Sequence, residues 1–71
     1  MNSDNHELYK LARREMPYGK YRGTLLIDLP EPYVAWYHTK GLPEGEIGKL
    51  LGLLYEIKLN GLEHLVYPYK N

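Results

Sequence analysis

The sequence predicts an α+β domain: a helix, a short β-hairpin, then two further helices, packed as one unit over residues 1–71. Three observations predict it. Gly19 and Gly23 bracket Lys20-Tyr21-Arg22, a loop length suited to a hairpin with a left-handed glycine position. Apolar residues recur at helical spacing between Ile47 and Ile57. Prolines and glycines fall at Pro17, Gly41, Pro43 and Gly61, where elements should begin or end. The order also admits a winged-helix-like arrangement.

The first helix is expected over Asn2–Met16. Ser3 or Asp4 can cap it, with Glu7 as the capping-box partner of Asp4. Leu8, Leu11 and Ala12 share one face. Lys10, Arg13 and Arg14 sit near the C-terminal end, where cations suit the helix dipole. Pro17 ends the helix by disfavouring helical geometry at Met16. Tyr18–Leu26 then reads as the hairpin, with Leu25 and Ile27 opposing Leu26 across the second strand.

A second helix is expected from Leu29-Pro-Glu-Pro32, since proline is tolerated in a first turn, and it should stop at Gly41. Tyr33, Trp36 and Tyr37 fall at i, i+3 and i+4. Trp36 is expected in the core. The third helix should open at Pro43, carry Glu44 and Glu46 at its positive end, and close at Gly61. Its apolar residues cover roughly 200° of the helical wheel, so it should pack on two sides. Gly48 and Gly52 cost about 1 kcal/mol each relative to alanine, which a close contact would offset. The tail should pack back through Leu62, Leu65, Val66 and Tyr67, with Pro68 stopping further regular structure.

A chain of 71 residues buries only about 60% of its unfolded surface, so partner subunits are a plausible source of extra core. It has no cysteine, which excludes disulfides and thiolate metal sites and fits a reducing cytoplasm. No signal-like segment and no membrane-length apolar run is present. A soluble cytoplasmic protein is the expectation, with no membrane partner. Net charge is zero, but residues 10–22 carry five cations against Glu15 alone. A whole-molecule polyanion reading therefore fails, while a local one stays open. Eight tyrosines and no phenylalanine favour rings at a surface or interface.

Catalytic chemistry finds little support. His6, His38 and His64 are scattered without metal spacing, so no metal site is expected. The only serine is Ser3, in a cap position. Glu44 and Glu46 belong to a helix start. Asp28 is expected to bridge Lys20 or cap the second helix. Gly19-Lys20 lacks the remaining features of a Walker loop, and no cofactor is implied. Lys20, Tyr21 and Arg22 on a protruding turn do offer phosphate attraction beside ring faces for unstacked bases. Tyr18 joins them, and Arg13 and Arg14 extend the patch if the first helix ends beside the turn.

Met16-Pro-Tyr-Gly-Lys-Tyr-Arg-Gly23, then Ile27-Asp-Leu-Pro30, Tyr33, Trp36, Gly41 and the ending Glu56–Leu65, resemble a short bacterial and phage family of unassigned function. Some members of that family carry the label putative quorum-sensing-regulated virulence factor. The resemblance covers about residues 14–67. The first motif also resembles the small C-terminal module that follows exonuclease domains of the exodeoxyribonuclease X type, over about residues 16–40. That likeness implies a module able to accompany DNA-processing enzymes, with no nuclease activity of its own. The resemblance carries Tyr18, Lys20, Tyr21 and Arg22 over as candidate contacts; Asp28, Tyr33 and Trp36 are matched as well, and are read here as holding the hairpin against the second helix.

The expected function is a non-enzymatic accessory module that contacts DNA or RNA through the hairpin without strong sequence preference. The alternative is a protein-interaction or structural module, a homodimer joined through the third helix.

Overall fold

In a computed structural model, the backbone is described for residues 3–70 and side chains for residues 6–70. The caps expected of Ser3 or Asp4, with Glu7 as partner, and a helix start at Asn2 lie outside this range. The described residues form three α-helices: α1 (Ser3–Arg13), α2 (Glu31–Lys40) and α3 (Glu46–Leu59). Three single 3-10 turns accompany them, at Leu26–Asp28, Glu63–Leu65 and Tyr67–Tyr69.

The expected α+β class is therefore corrected to all-helical, and no wing is formed. Among the described residues there is no strand, only one isolated antiparallel bridge between Glu15 and Leu25. The Met16 N–H donates to the Thr24 carbonyl at 2.8 Å, Gly23 to Met16 at 2.9 Å, and Leu26 to Arg14 at 2.9 Å. These bonds staple the ends of a loop. They cannot grow into a ladder for two reasons. Pro17 offers no N–H on one side. On the other, Leu26 enters a 3-10 turn at once, burying both Leu26 and Ile27 where a strand would alternate them. Local glycine spacing signalled a turn correctly; it carried no information about what flanked it.

The helices follow their sequence signals more closely. α2 starts with Pro32 in its first turn and ends at Gly41, whose N–H bonds the Tyr37 carbonyl. α3 begins three residues later than expected. Pro43 and Glu44 precede it, and Gly45 at φ 84° turns the chain into the helix. Its far end is a Schellman closure: Gly61 N–H donates to Lys58 O at 3.2 Å and Leu62 N–H to Ile57 O at 2.9 Å. Gly61 supplies the positive φ of 66° that this requires.

α3 is packed on two sides, as its wide apolar arc requires. It lies against α2, against α1 and against the Leu26–Asp28 turn. Leu51 and Leu54 are fully buried, beside Leu11, Met16, Leu26, Leu29, Val34 and Val66. Each such side chain contributes about 1.5–3 kcal/mol of hydrophobic stabilisation. The tail closes the core with buried Val66 and half-buried Tyr69; Leu62, Leu65 and Tyr67 are exposed. Pro68 sits inside the last 3-10 turn, because proline at a first-turn position fits that geometry. Trp36, expected in the core, is 52% exposed. Val34 takes the buried position on α2 instead, since the two residues project from different sides of the helix.

Candidate functional site

Loop 17–23 lies on the surface, with Tyr18, Lys20 and Arg22 exposed and Tyr21 half-buried. Gly19 and Gly23 adopt φ of 84° and 90°, which lets the chain reverse twice within five residues. Gly19 is also pressed against α2: a Cβ there would lie 3.0 Å from the Tyr33 hydroxyl and 4.0 Å from that of Tyr37. The loop therefore rests on two tyrosine hydroxyls, and its two cations face outward.

Beneath it the aromatic rings form a continuous row. Tyr21 meets Tyr33 edge-on at 4.6 Å between centroids. Tyr33 meets Tyr37 at 5.3 Å, and Tyr37 meets Trp36 at 5.1 Å, both edge-to-face. Such pairs contribute about 0.5–1.5 kcal/mol beyond their buried area. The Lys20 ammonium lies 5.6 Å from the centre of the Tyr21 ring. Burial first, then a hydrogen bond with Tyr37 and the neighbouring Tyr18 and Tyr21, pushes the Tyr33 phenol up to about 12.

Charge pairing separates the cations of residues 10–22 into two groups. Lys10 and Arg14 both bind the Glu46 carboxylate, Arg14 at 2.6 Å. Together they hold that carboxyl down to about 2. Arg13 donates from Nε to the Tyr69 carbonyl at 2.9 Å and lies over the Tyr9 ring. These three residues tie α1 to the start of α3 and to the tail. Lys20 and Arg22 form no ion pair among the described residues. The structure brings Tyr18, Lys20, Tyr21 and Arg22 together on one loop and gives Arg13 and Arg14 internal partners. Asp28 pairs with Lys70 at 3.0 Å, and neither bridges Lys20 nor caps α2. No three metal-binding side chains converge among the described residues. No described helix is long and apolar enough to cross a membrane.

Residues 4–69 match the protein family described as putative quorum-sensing-regulated virulence factor. The chain belongs to that family. Over 68 residues it is 43% identical to uncharacterized protein YpeB of Escherichia coli K12, covering 94% of each chain. The same figures hold for YpeB of Escherichia coli O157:H7. No solved structure gives a significant match. Neither the family description nor the relatives' names state a ligand or a reaction.

In this member of the family, the sequence reading missed the exposed surface built by α2. Trp36 and Lys40 stand four residues apart, a spacing that puts both on one helical face. That signal was present in the sequence, but assigning Trp36 to the core concealed it.

Proposed function

We propose that the protein is a non-enzymatic accessory module that contacts nucleic acid through loop 17–23, without strong sequence preference. One observation carries this reading: Lys20 and Arg22 are exposed and unpaired among the described residues, beside exposed Tyr18 and the Tyr21 end of the aromatic row. Cations attract phosphates, and the Tyr18 ring offers a stacking face that every base can use. Gly19 packs closely on the Tyr33 hydroxyl and the Tyr21 ring packs on that of Tyr33, contacts that help order the loop and lower the cost of binding. A cytoplasmic setting suits such a role.

Fluorescence anisotropy with labelled single- and double-stranded oligonucleotides tests the reading. Affinity should fall as salt rises, and should drop about tenfold or more in Lys20→Ala/Arg22→Ala as phosphate contacts are lost. Absence of binding at low salt would overturn it.

A second reading, self-association, is favoured by a different feature. Leu8, Leu53, Ile57 and Leu65 line an apolar groove of about 310 Å³ between α1, α3 and the tail. Sedimentation should show a dimer that Leu65→Lys disperses. The glycine flank of α3 plays no part in this reading, because Leu42 and Pro43 of the same chain cover it.

A further inference from the structure

We infer that Trp36 and Lys40 form the second half of the nucleic-acid surface, making its preferred ligand a single strand with unstacked bases. The inference rests on the function proposed above and extends it from the loop onto α2.

Trp36 is the chain's only tryptophan and is 52% exposed, while Val34 two residues before it is fully buried. Tyr37 abuts the Trp36 ring edge-to-face, and through Tyr33 it is joined to Tyr21 under the loop. A half-exposed ring already in contact with a neighbouring ring offers a base a stacking surface. Lys40 projects from the same face one turn further on and forms no ion pair among the described residues. Cations thus bracket the aromatic row: Lys20 and Arg22 at the Tyr21 end, Lys40 at the Trp36 end. The carboxylate on α2, Glu31, belongs to its first turn, at the other end of the helix from Lys40. A row of rings with positive groups at both ends matches a strand whose phosphates and bases are both accessible. A duplex hides its bases from such a row.

Because Trp36 is the sole tryptophan, its fluorescence reports on this site directly. The probe is an oligothymidylate about ten nucleotides long, within the usual range of single-strand sites. Titration should quench the emission saturably. Trp36→Ala should weaken binding about tenfold, and Trp36→Phe should retain most of it. Lys40→Gln should lower the salt slope by about 0.7, the loss of one phosphate contact on a single strand. The matched duplex should bind more weakly. Circular dichroism should show the variants folded, since both positions are exposed. Binding that depends on Lys20 and Arg22 with Trp36 emission and Trp36→Ala affinity unchanged would overturn this inference and leave the loop reading standing. Quenching that ignores Lys20→Ala/Arg22→Ala would overturn the loop reading and, with it, a surface shared by the loop and α2. Absence of any binding would overturn both.

Discussion

A Cβ atom on Gly48 would lie 1.7 Å from the Pro43 carbonyl oxygen and 2.8 Å from its carbon. The loop entering α3 folds back onto the helix at a distance that only glycine permits. Gly48→Ala should therefore destabilise the protein by about 2 kcal/mol or more, despite the helix propensity gained. Gly52→Ala is the contrast. Its Cβ would meet only Leu42 Cδ1, at 3.1 Å, the tip of an exposed side chain. That tip can rotate away, so the substitution should be neutral or stabilising by up to about 1 kcal/mol. Urea denaturation of the two variants checks both signs.

Acid should loosen the junction of α1 and α3. Hydrogen bonds from Lys10 and then Arg14 lower the Glu46 carboxyl from 4.5 to about 2. A carboxylate depressed in the folded state stabilises above its unfolded pKa, and that contribution is lost as pH falls through the folded value. Stability should decline from about pH 4.5 toward pH 2, and Glu46→Gln should flatten that part of the profile. The carboxylate is well exposed, so added salt should shrink the effect. Urea midpoints measured against pH at two salt concentrations read this out.

Alkali should reveal the Tyr33 phenol. Its pKa is raised from 10.0 to about 12 by burial, by the Tyr37 hydrogen bond and by adjacent tyrosines. The folded state then holds a proton that the unfolded chain has released, so stability present below pH 10 is lost as pH climbs toward 12. In Tyr33→Phe, the late step in tyrosinate absorbance should disappear, and stability should fall less steeply over this range.

Lys58 should matter more than a surface lysine. Its side chain is only 9% exposed, and it donates to the Ile27 carbonyl at 3.1 Å, with Glu63 4.0 Å away. Lys58→Met keeps the apolar stem and removes the donor, leaving the buried Ile27 carbonyl without it. A loss of about 1–3 kcal/mol is expected in urea denaturation. Lys58→Arg, which restores a donor, should recover part of it.

The family and three helices were legible in the sequence. Pro32, Gly41 and Gly61 act on the backbone within a few residues of themselves, so the bounds of α2 and the close of α3 follow from their local geometry. The two-sided packing of α3 was also legible, since an apolar arc cannot be left in water. At the site, the loop residues Tyr18, Lys20, Tyr21 and Arg22 stood out through glycine spacing and charge density. The α2 half did not, because i, i+3 and i+4 spacing groups Tyr33, Trp36 and Tyr37 without stating which of them faces inward.

Sequence alone determined where the chain can turn, which segments coil into helices and which carry apolar faces, because those properties depend on neighbours in the chain. Tertiary structure decided the rest. Early entry of Leu26 into a core-facing turn left a stapled loop where strands were expected, and Val34 took the inner position expected of Trp36. Glu46, more than thirty residues downstream, took up Lys10 and Arg14 and left Lys20 and Arg22 to solvent. Each of these outcomes depends on residues far apart in sequence meeting in space, where burial and charge pairing are settled.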